Sequence, residues 1–266
     1  MAMPNDLVLV RHGQSEGNLA QEAEKRGDHS LYTEEFMTVP GHQWRLTDRG
    51  CEEAQVIGEW IGRMNAFDRY YCSPYVRTKE TAGYLGLPGA QWRLNRALRE
   101  RDWGDIGSLP MSEFKENPSY DHNRRVWKTD PLYWVVPGGE SIAQVAEDRV
   151  RNVIDTLHRE CAGKRVICVC HGEVMWAFRL VLERLNDADF VMLDADKAEK
   201  IHNCSAFHYS RIDPITGEQK DRLSWVRRAY PVFEEGKWVV KESAWEPVEF
   251  QLYSNEALLE SLPPRS

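Results

Sequence analysis

The chain has 266 residues, 42% of them hydrophobic and 29% charged, which suits one large globular domain or one domain with an appendage. A net charge of -8 gives no global positive field to hold nucleic acid or an anionic membrane, and no apolar stretch reaches membrane-spanning length. If the protein handles an anion, positive charge has to be placed locally.

In chain order, the first predicted strand is the apolar run Leu7 to Val10, which stops abruptly at Arg11-His12-Gly13. Residues 14–45 are polar and poor in helical periodicity, with a short helix expected over Leu19 to Lys25; such a long connection reads as an excursion over an active face. Thr47 reads as an N-cap, with Ala54, Ile57, Trp60, Ile61 and Met64 following at helical spacing. Phe67 to Cys72 is the second strand, and Ser73-Pro74 is expected to cap a helix through Tyr84 with Pro74 at its first position. Trp92 to Leu98 is a third extended segment, and residues 101–137 are aromatic-rich and partly helical. Ser141 to Glu160 reads as one amphipathic helix, Arg165 to Cys170 as the fourth strand, Val174 to Arg184 as a helix and Cys204 to Arg211 as the fifth strand.

Strands alternating with helices predict a three-layer α/β/α sandwich with a mostly parallel central sheet. Residues 1–211 form the expected catalytic domain, with 14–45 and 101–137 as its excursions. Residues 212–266 form a β-rich extension packed on it, whose pieces Leu223 to Tyr230 and Lys237 to Lys241 flank the turn Glu234-Glu235-Gly236, with a frayed end at Pro263-Pro264. The six cysteines show neither metal-ligand spacing nor a disulfide framework, and Cys168 and Cys170 read as small core residues. Reduced thiols and a polar start from Met1 to Asp6, without a signal-peptide core, predict a cytoplasmic protein.

The chemistry concentrates where an α/β fold binds ligands, beyond the carboxyl ends of strands. Arg11-His12-Gly13 follows the first strand, Ser73 to Arg77 the second and His171-Gly172 the fourth. Arginine binds phosphate oxygens bidentately, and a histidine beside it is held neutral and competent to attack phosphorus. Gly13 and Gly172 would let backbone approach the ligand. Taken singly, each piece has a plain alternative: a surface turn for Arg-His-Gly, a solvated helix residue for Arg77, a hydrogen-bonded core histidine for His171. Their joint placement after three strands favours the phosphate site.

The stretch Leu9 to Asn18, Leu-Val-Arg-His-Gly-Gln-Ser-Glu-Gly-Asn, resembles the signature of the histidine phosphatase (phosphoglycerate mutase-like) superfamily. Leu46-Thr47-Asp48-Arg49-Gly50, Ser73 to Ala82, Leu98 to Gly104, Pro137 to Ser141 and His171-Gly172 resemble its later landmarks, in family order, across about Leu7 to Arg211. The resemblance implies that His12 becomes a phosphohistidine, that Arg11, Arg77 and His171 bind the phosphoryl oxygens, and that Asn18 contacts them through its amide. It implies Glu100, rather than Asp102 or Asp105, as the proton donor, and no cofactor or metal. A metallohydrolase built on His12, His171 and a carboxylate ranks low because no comparable ligand run is present.

The family's mutases carry a short link containing Thr-Gly after the Arg-His-Gly segment. Here the link from Leu19 to Arg45 is longer and lacks it, and Tyr32 to Leu46 is closer to a broad-range phosphatase subgroup. Hydrolysis of small phosphomonoesters is therefore expected, with mutase-type transfer or a non-catalytic phospho-ligand scaffold as alternatives. The partner is a small phosphorylated substrate, not nucleic acid or membrane, and the oligomeric state stays open. Arg124-Arg125 reads either as a site for a second anionic group or as a solvated pair. Tyr32, Trp103, Trp127 and Trp134 are candidates for pocket walls or for core packing.

Overall fold

Val8 and Val10 point to one side of the first strand while Leu7 and Leu9 point to the other, and both sides are fully buried. This alternation explains the architecture of the computed structural model, which describes residues 2–250, 252–260 and 262. Strand β1 (Asp6–Arg11) lies in the middle of a mixed sheet that also contains β2 (Arg69–Cys72), β3 (Trp92–Leu94), β4 (Arg165–Cys170), β5 (Ala206–Ser210), β6 (Trp225–Glu234), β7 (Lys237–Glu242) and the short β8 (Glu246–Pro247). The order is β3-β2-β4-β1-β5-β6-β7, with β8 pairing β6. β3, β2, β4 and β1 run parallel, while β5, β6, β7 and β8 are added antiparallel.

The helices are α1 (Glu16–Glu24), α2 (Glu34–Thr38), α3 (Asp48–Gly62), α4 (Val76–Tyr84), α5 (Met111–Glu116), α6 (Asp121–Thr129), α7 (Ile142–Gln144), α8 (Arg151–Glu160), α9 (Gly172–Leu182), α10 (Asp187–Ala195) and α11 (Asn255–Glu260); α3 and α4 pack on one face of the sheet, α8 and α9 on the other. Ala54, Ile57, Trp60 and Ile61 of α3 cover Val8, Val10, Ile167 and Val169. On the other face, Val153 and Leu157 of α8 and Val174, Met175 and Phe178 of α9 cover Leu7, Leu9, Val166 and Cys168. Each such buried aliphatic or aromatic side chain contributes roughly 1.5–3 kcal/mol. Cys168 and Cys170 are buried in this core, and all six cysteines are free thiols.

Several predicted elements change their limits. The short helix expected over Leu19 to Lys25 starts earlier, at Glu16, because Ser15 and Asn18 close a capping box. The third strand ends at Leu94, since Asn95 caps the 3-10 turn Arg96–Leu98. Ser73-Pro74 does not open α4: the Ser73 amide still donates to the Val169 carbonyl as a continuation of the sheet ladder, so Tyr75 becomes the N-cap. The helix over Ser141 to Glu160 begins with a Ser141–Gln144 capping box but passes through a π turn over Val145–Val150. The two C-terminal β pieces form the β6–β7 hairpin and continue the central sheet through β5. Pro263-Pro264 lies outside the described residues. No helix among the described residues is long and apolar enough to cross a membrane.

The two excursions fold over the site. Residues 101–137 build a small core of their own, with Ile106, Phe114, Trp134 and Val136 buried and Trp127 packed against them. Trp127 and Trp134 are therefore packing residues, whereas Tyr32 and Trp103 line the cavity below. Glu24, at the end of α1, joins the two excursions by accepting from the Met111 and Ser112 amides at 3.0 and 2.6 Å. That contact also satisfies the open first turn of α5.

Candidate active site

The backbone beyond β1 turns into the site with almost no clearance. A Cβ on Gly13 would come within 2.3 Å of the Gly50 carbonyl oxygen, and one on Gly50 within 2.1 Å of the Gln14 oxygen. Glycine is thus required at residue 13 by α3, not by a ligand. Its amide donates to Thr81 Oγ1 at 3.1 Å, and it does not line the cavity, which corrects the expectation that it lets backbone approach the substrate. Gly172, at the start of α9, does line it, with Arg11 as its nearest side chain.

Arg11, His12, Arg77 and Glu100 meet on one wall of a cavity of ≈ 770 Å³. His171 stands behind them, fully buried, its ring centroid 5.2 Å from that of His12. Hydrogen bonding fixes both tautomers. The Gly13 carbonyl only accepts, so His12 Nδ1 carries a proton and donates to it at 2.7 Å. A guanidinium only donates, so His12 Nε2 is bare and accepts from Arg77 Nε at 3.1 Å. By the same logic His171 Nδ1 accepts from Arg77 Nη2 at 3.2 Å, and its Nε2–H donates to Ser73 Oγ at 2.9 Å.

Charge and burial reinforce this state. Burial first, then Arg77 and Arg11, hold His12 well below the ordinary imidazole pKa; burial, Arg77 and His12 do the same for His171. Glu100 is displaced the other way. Burial and the nearby Glu173 push its carboxyl up to about 7, against the pull of Arg77. The Arg101 amide donates to Glu100 Oε1 at 3.0 Å, and Oε2 lies 3.9 Å from His171 Nδ1. The wall therefore presents an unprotonated imidazole nitrogen, two guanidinium groups and a carboxyl that is half ionised near neutrality. Such a set can attack phosphorus, hold its oxygens and give or take a proton.

The ligand atoms of His12, Glu100 and His171 also lie within 4.8 Å of one another, as in a three-ligand metal centre. A cation there would face Arg77, which donates to one nitrogen of each ring, and Arg11, whose charge adds to the shift of both. Those nitrogens are engaged by positive charge, so the residues fit an anion and not a metal.

Asn18 reaches the cavity from α1. Its Oδ1 accepts from Ser15 and, at 3.0 Å, from Asn203 Nδ2, which turns the amide nitrogen away from those donors. Arg124 and Arg125 do not line the cavity, so of their two readings the structure gives no support to a second anion site there. Arg124 on α6 donates to the Phe114 and Asn117 carbonyls at 2.7 and 2.8 Å and pairs with Asp121, while Arg125 is exposed. Arg124→Ala is therefore expected to cost about 1–2 kcal/mol of stability while leaving kcat/KM within about threefold. Urea unfolding alongside steady-state kinetics checks both halves.

Sequence reasoning missed Ser73 as the partner of His171, and Asn203, which donates to the His12 carbonyl at 3.2 Å. Ser73 opens the Ser73 to Ala82 segment, which was the one signal available; Asn203 sits in no motif.

A profile of the histidine phosphatase superfamily (branch 1) matches residues 7–206. The 2,3-bisphosphoglycerate-dependent phosphoglycerate mutase of Methylobacterium radiotolerans is 34% identical over 192 residues, covering 68% of this chain and 81% of that protein. The mutase of Parvibaculum lavamentivorans is 32% identical over 203 residues, covering 72% and 86%. Among solved structures, a mycobacterial glucosyl-3-phosphoglycerate phosphatase in complex with VO3 superposes with a TM-score of 0.61 at 25% identity, covering 77% of this chain and 92% of that one. A phosphoserine phosphatase from Entamoeba histolytica shares the fold, with a TM-score of 0.58 at 19% identity over 77% and 90% of the two chains.

Proposed function

The chain belongs to the histidine phosphatase superfamily, and from that premise we propose that it hydrolyses small phosphomonoesters through a phosphohistidine on His12. The observation that carries this reading is the bare Nε2 of His12 set against Arg77 on the wall of a roomy cavity. His12 Nε2 attacks phosphorus in line, the ester P–O bond breaks, and Glu100 gives its proton to the leaving oxygen. The Glu100 carboxylate then takes a proton from water, the water oxygen attacks phosphorus, and the P–N bond breaks. Arg11 and Arg77 bind the phosphoryl oxygens throughout, with the Asn18 amide at their side, and His171 joins them when its bare Nδ1 takes up a proton as the anion enters. The arginines supply the positive charge, so the reaction needs no cofactor. Free thiols and the lack of a membrane-spanning helix among the described residues support a reducing, cytoplasmic setting.

Hydrolysis and mutase chemistry share the first half-reaction and differ in who receives the phosphoryl group. The long link folded as α1 and α2, without Thr-Gly, and a cavity far larger than one phosphate support transfer to water. The mutase reading is supported by the names of the curated relatives. Feeding the protein a panel of phosphorylated metabolites, 2- and 3-phosphoglycerate with 2,3-bisphosphoglycerate included, separates the two. Phosphate release from several esters should outrun interconversion of the phosphoglycerates; interconversion as the dominant reaction would reverse the assignment.

A further inference from the structure

The family match stops at residue 206, yet a strand beyond it touches the segment that tethers Arg11. Arg228 of β6 lies over the Phe207 ring and sets Nη1 3.4 Å from Glu199 Oε1. The other oxygen of Glu199 forms an ion pair at 2.9 Å with Nη1 of Arg179, a buried residue of α9, without a hydrogen bond between them. Arg179 is held in turn by Glu183, which accepts from the Tyr209 hydroxyl at 2.6 Å. Glu199 thus sits in a charge cluster that joins α9, β5 and β6.

Two residues further on, the Ile201 carbonyl accepts from Arg11 Nη1 at 2.7 Å. Arg11 Nε is buried and has no partner of its own, so this bond is the side chain's hydrogen-bonded tether to the protein among the described residues. The segment bearing that carbonyl is weakly built: Lys197, Ala198 and Lys200 are exposed and only one 3-10 turn, Lys197–Glu199, orders it. Before the carbonyl its side-chain anchor is Glu199; from the carbonyl on, the buried Ile201, His202 stacked on Tyr230 and Asn203 bonded to the His12 carbonyl hold the chain, so Glu199 is what fixes the approach from the N-terminal side. We infer that Glu199, gripped by Arg179 and Arg228, is a positioning residue for Arg11, fixing through the Ile201 carbonyl where the guanidinium meets phosphate. The inference rests on the reading of Arg11 as a phosphate-binding group.

Binding of inorganic phosphate to the full chain, followed by titration calorimetry with Tm measured in parallel, tests it without requiring turnover. Glu199→Gln and Arg228→Met should each raise the phosphate Kd on the order of tenfold, the scale expected of a small misplacement at a site. Arg228→Lys should recover part of the loss. Arg227→Met is the control: Arg227 lies between the Trp60 and Trp245 rings, so its loss should lower Tm without raising Kd. In an Arg11→Met background, Glu199→Gln should weaken phosphate no further, because its effect travels through Arg11. An unchanged Kd in Glu199→Gln, or full additivity with Arg11→Met, overturns the inference. If Glu199→Gln does not fold, Arg228→Met decides in the same way. A wild-type protein that binds phosphate but never forms phosphohistidine would defeat the functional reading alone, and the Kd comparison would still stand.

Discussion

Replacing His12 with alanine is expected to lower kcat by at least about 10⁴-fold, the scale seen when a nucleophile is deleted from an otherwise intact site. Two signatures should accompany the loss. The acid-labile, base-stable phosphoryl adduct that wild type forms should be absent. Inorganic phosphate should still bind within a few-fold of wild type, because Arg11, Arg77 and His171 remain. The variant also strands the Arg77 Nε–H and the Gly13 carbonyl, both now bonded to the ring, at a cost of about 1–3 kcal/mol of stability. Wild-type turnover in His12→Ala would remove the nucleophile from the scheme. Loss of phosphate binding together with activity would point instead to a collapsed pocket, which a thermal melt detects.

Glu100→Gln should slow phosphohistidine formation from alkyl phosphates by about 10²–10⁴-fold, because glutamine cannot donate the proton a poor leaving oxygen needs. Aryl phosphates, whose leaving group needs less help, should suffer less in this step, and the adduct should then accumulate because no carboxylate remains to activate water. The direction of the pH dependence follows from the raised pKa. Burial and Glu173 lift the Glu100 carboxyl to about 7, so the donor is present below that pH and disappears above it. Phosphohistidine formation should fall as pH rises through about 7 while its hydrolysis rises, giving a bell-shaped steady-state profile. Stability should move the same way. A carboxyl whose folded pKa exceeds its unfolded one is favourable at low pH and loses that contribution as pH climbs to the folded value. Glu100→Gln should therefore gain Tm relative to wild type at pH 8 and not at pH 4. Rapid-quench kinetics across pH, paired with melts, test both; a profile for adduct formation that is flat from pH 5 to 9 would falsify the role of Glu100 as donor.

Much of this arrangement was legible because it rests on local rules. The run Arg165–Cys170 is apolar without alternation, which only a strand buried on both faces tolerates, and it forms over those limits. Thr47 caps α3 by accepting from the Gly50 amide, as its residue type and position imply. Placing Arg11, Arg77 and His171 after three strands brought them to one edge of the sheet, and the structure does set these side chains together. The illegible parts depend on partners remote in the chain. Ser73 looked like a helix cap because its true partner, His171, is 98 residues away. Arg124-Arg125 admitted both an anion site and a solvated pair because two adjacent charges carry no direction; α6 turns Arg124 onto nearby carbonyls and leaves Arg125 exposed. The π turn at Val145–Val150 left no mark in the apolar periodicity of its helix.

The glycine-to-backbone contact at residues 13 and 50 has a mechanical consequence. Because no side chain cushions that junction, the loop offering His12 should move together with the first turn of α3. Amide protons on both sides should exchange with solvent in one shared opening event, so the catalytic loop breathes only when the adjoining helix does. Adaptability toward differently shaped esters then has to come from the two covering excursions, whose surfaces are free to vary while the phosphate cradle stays fixed.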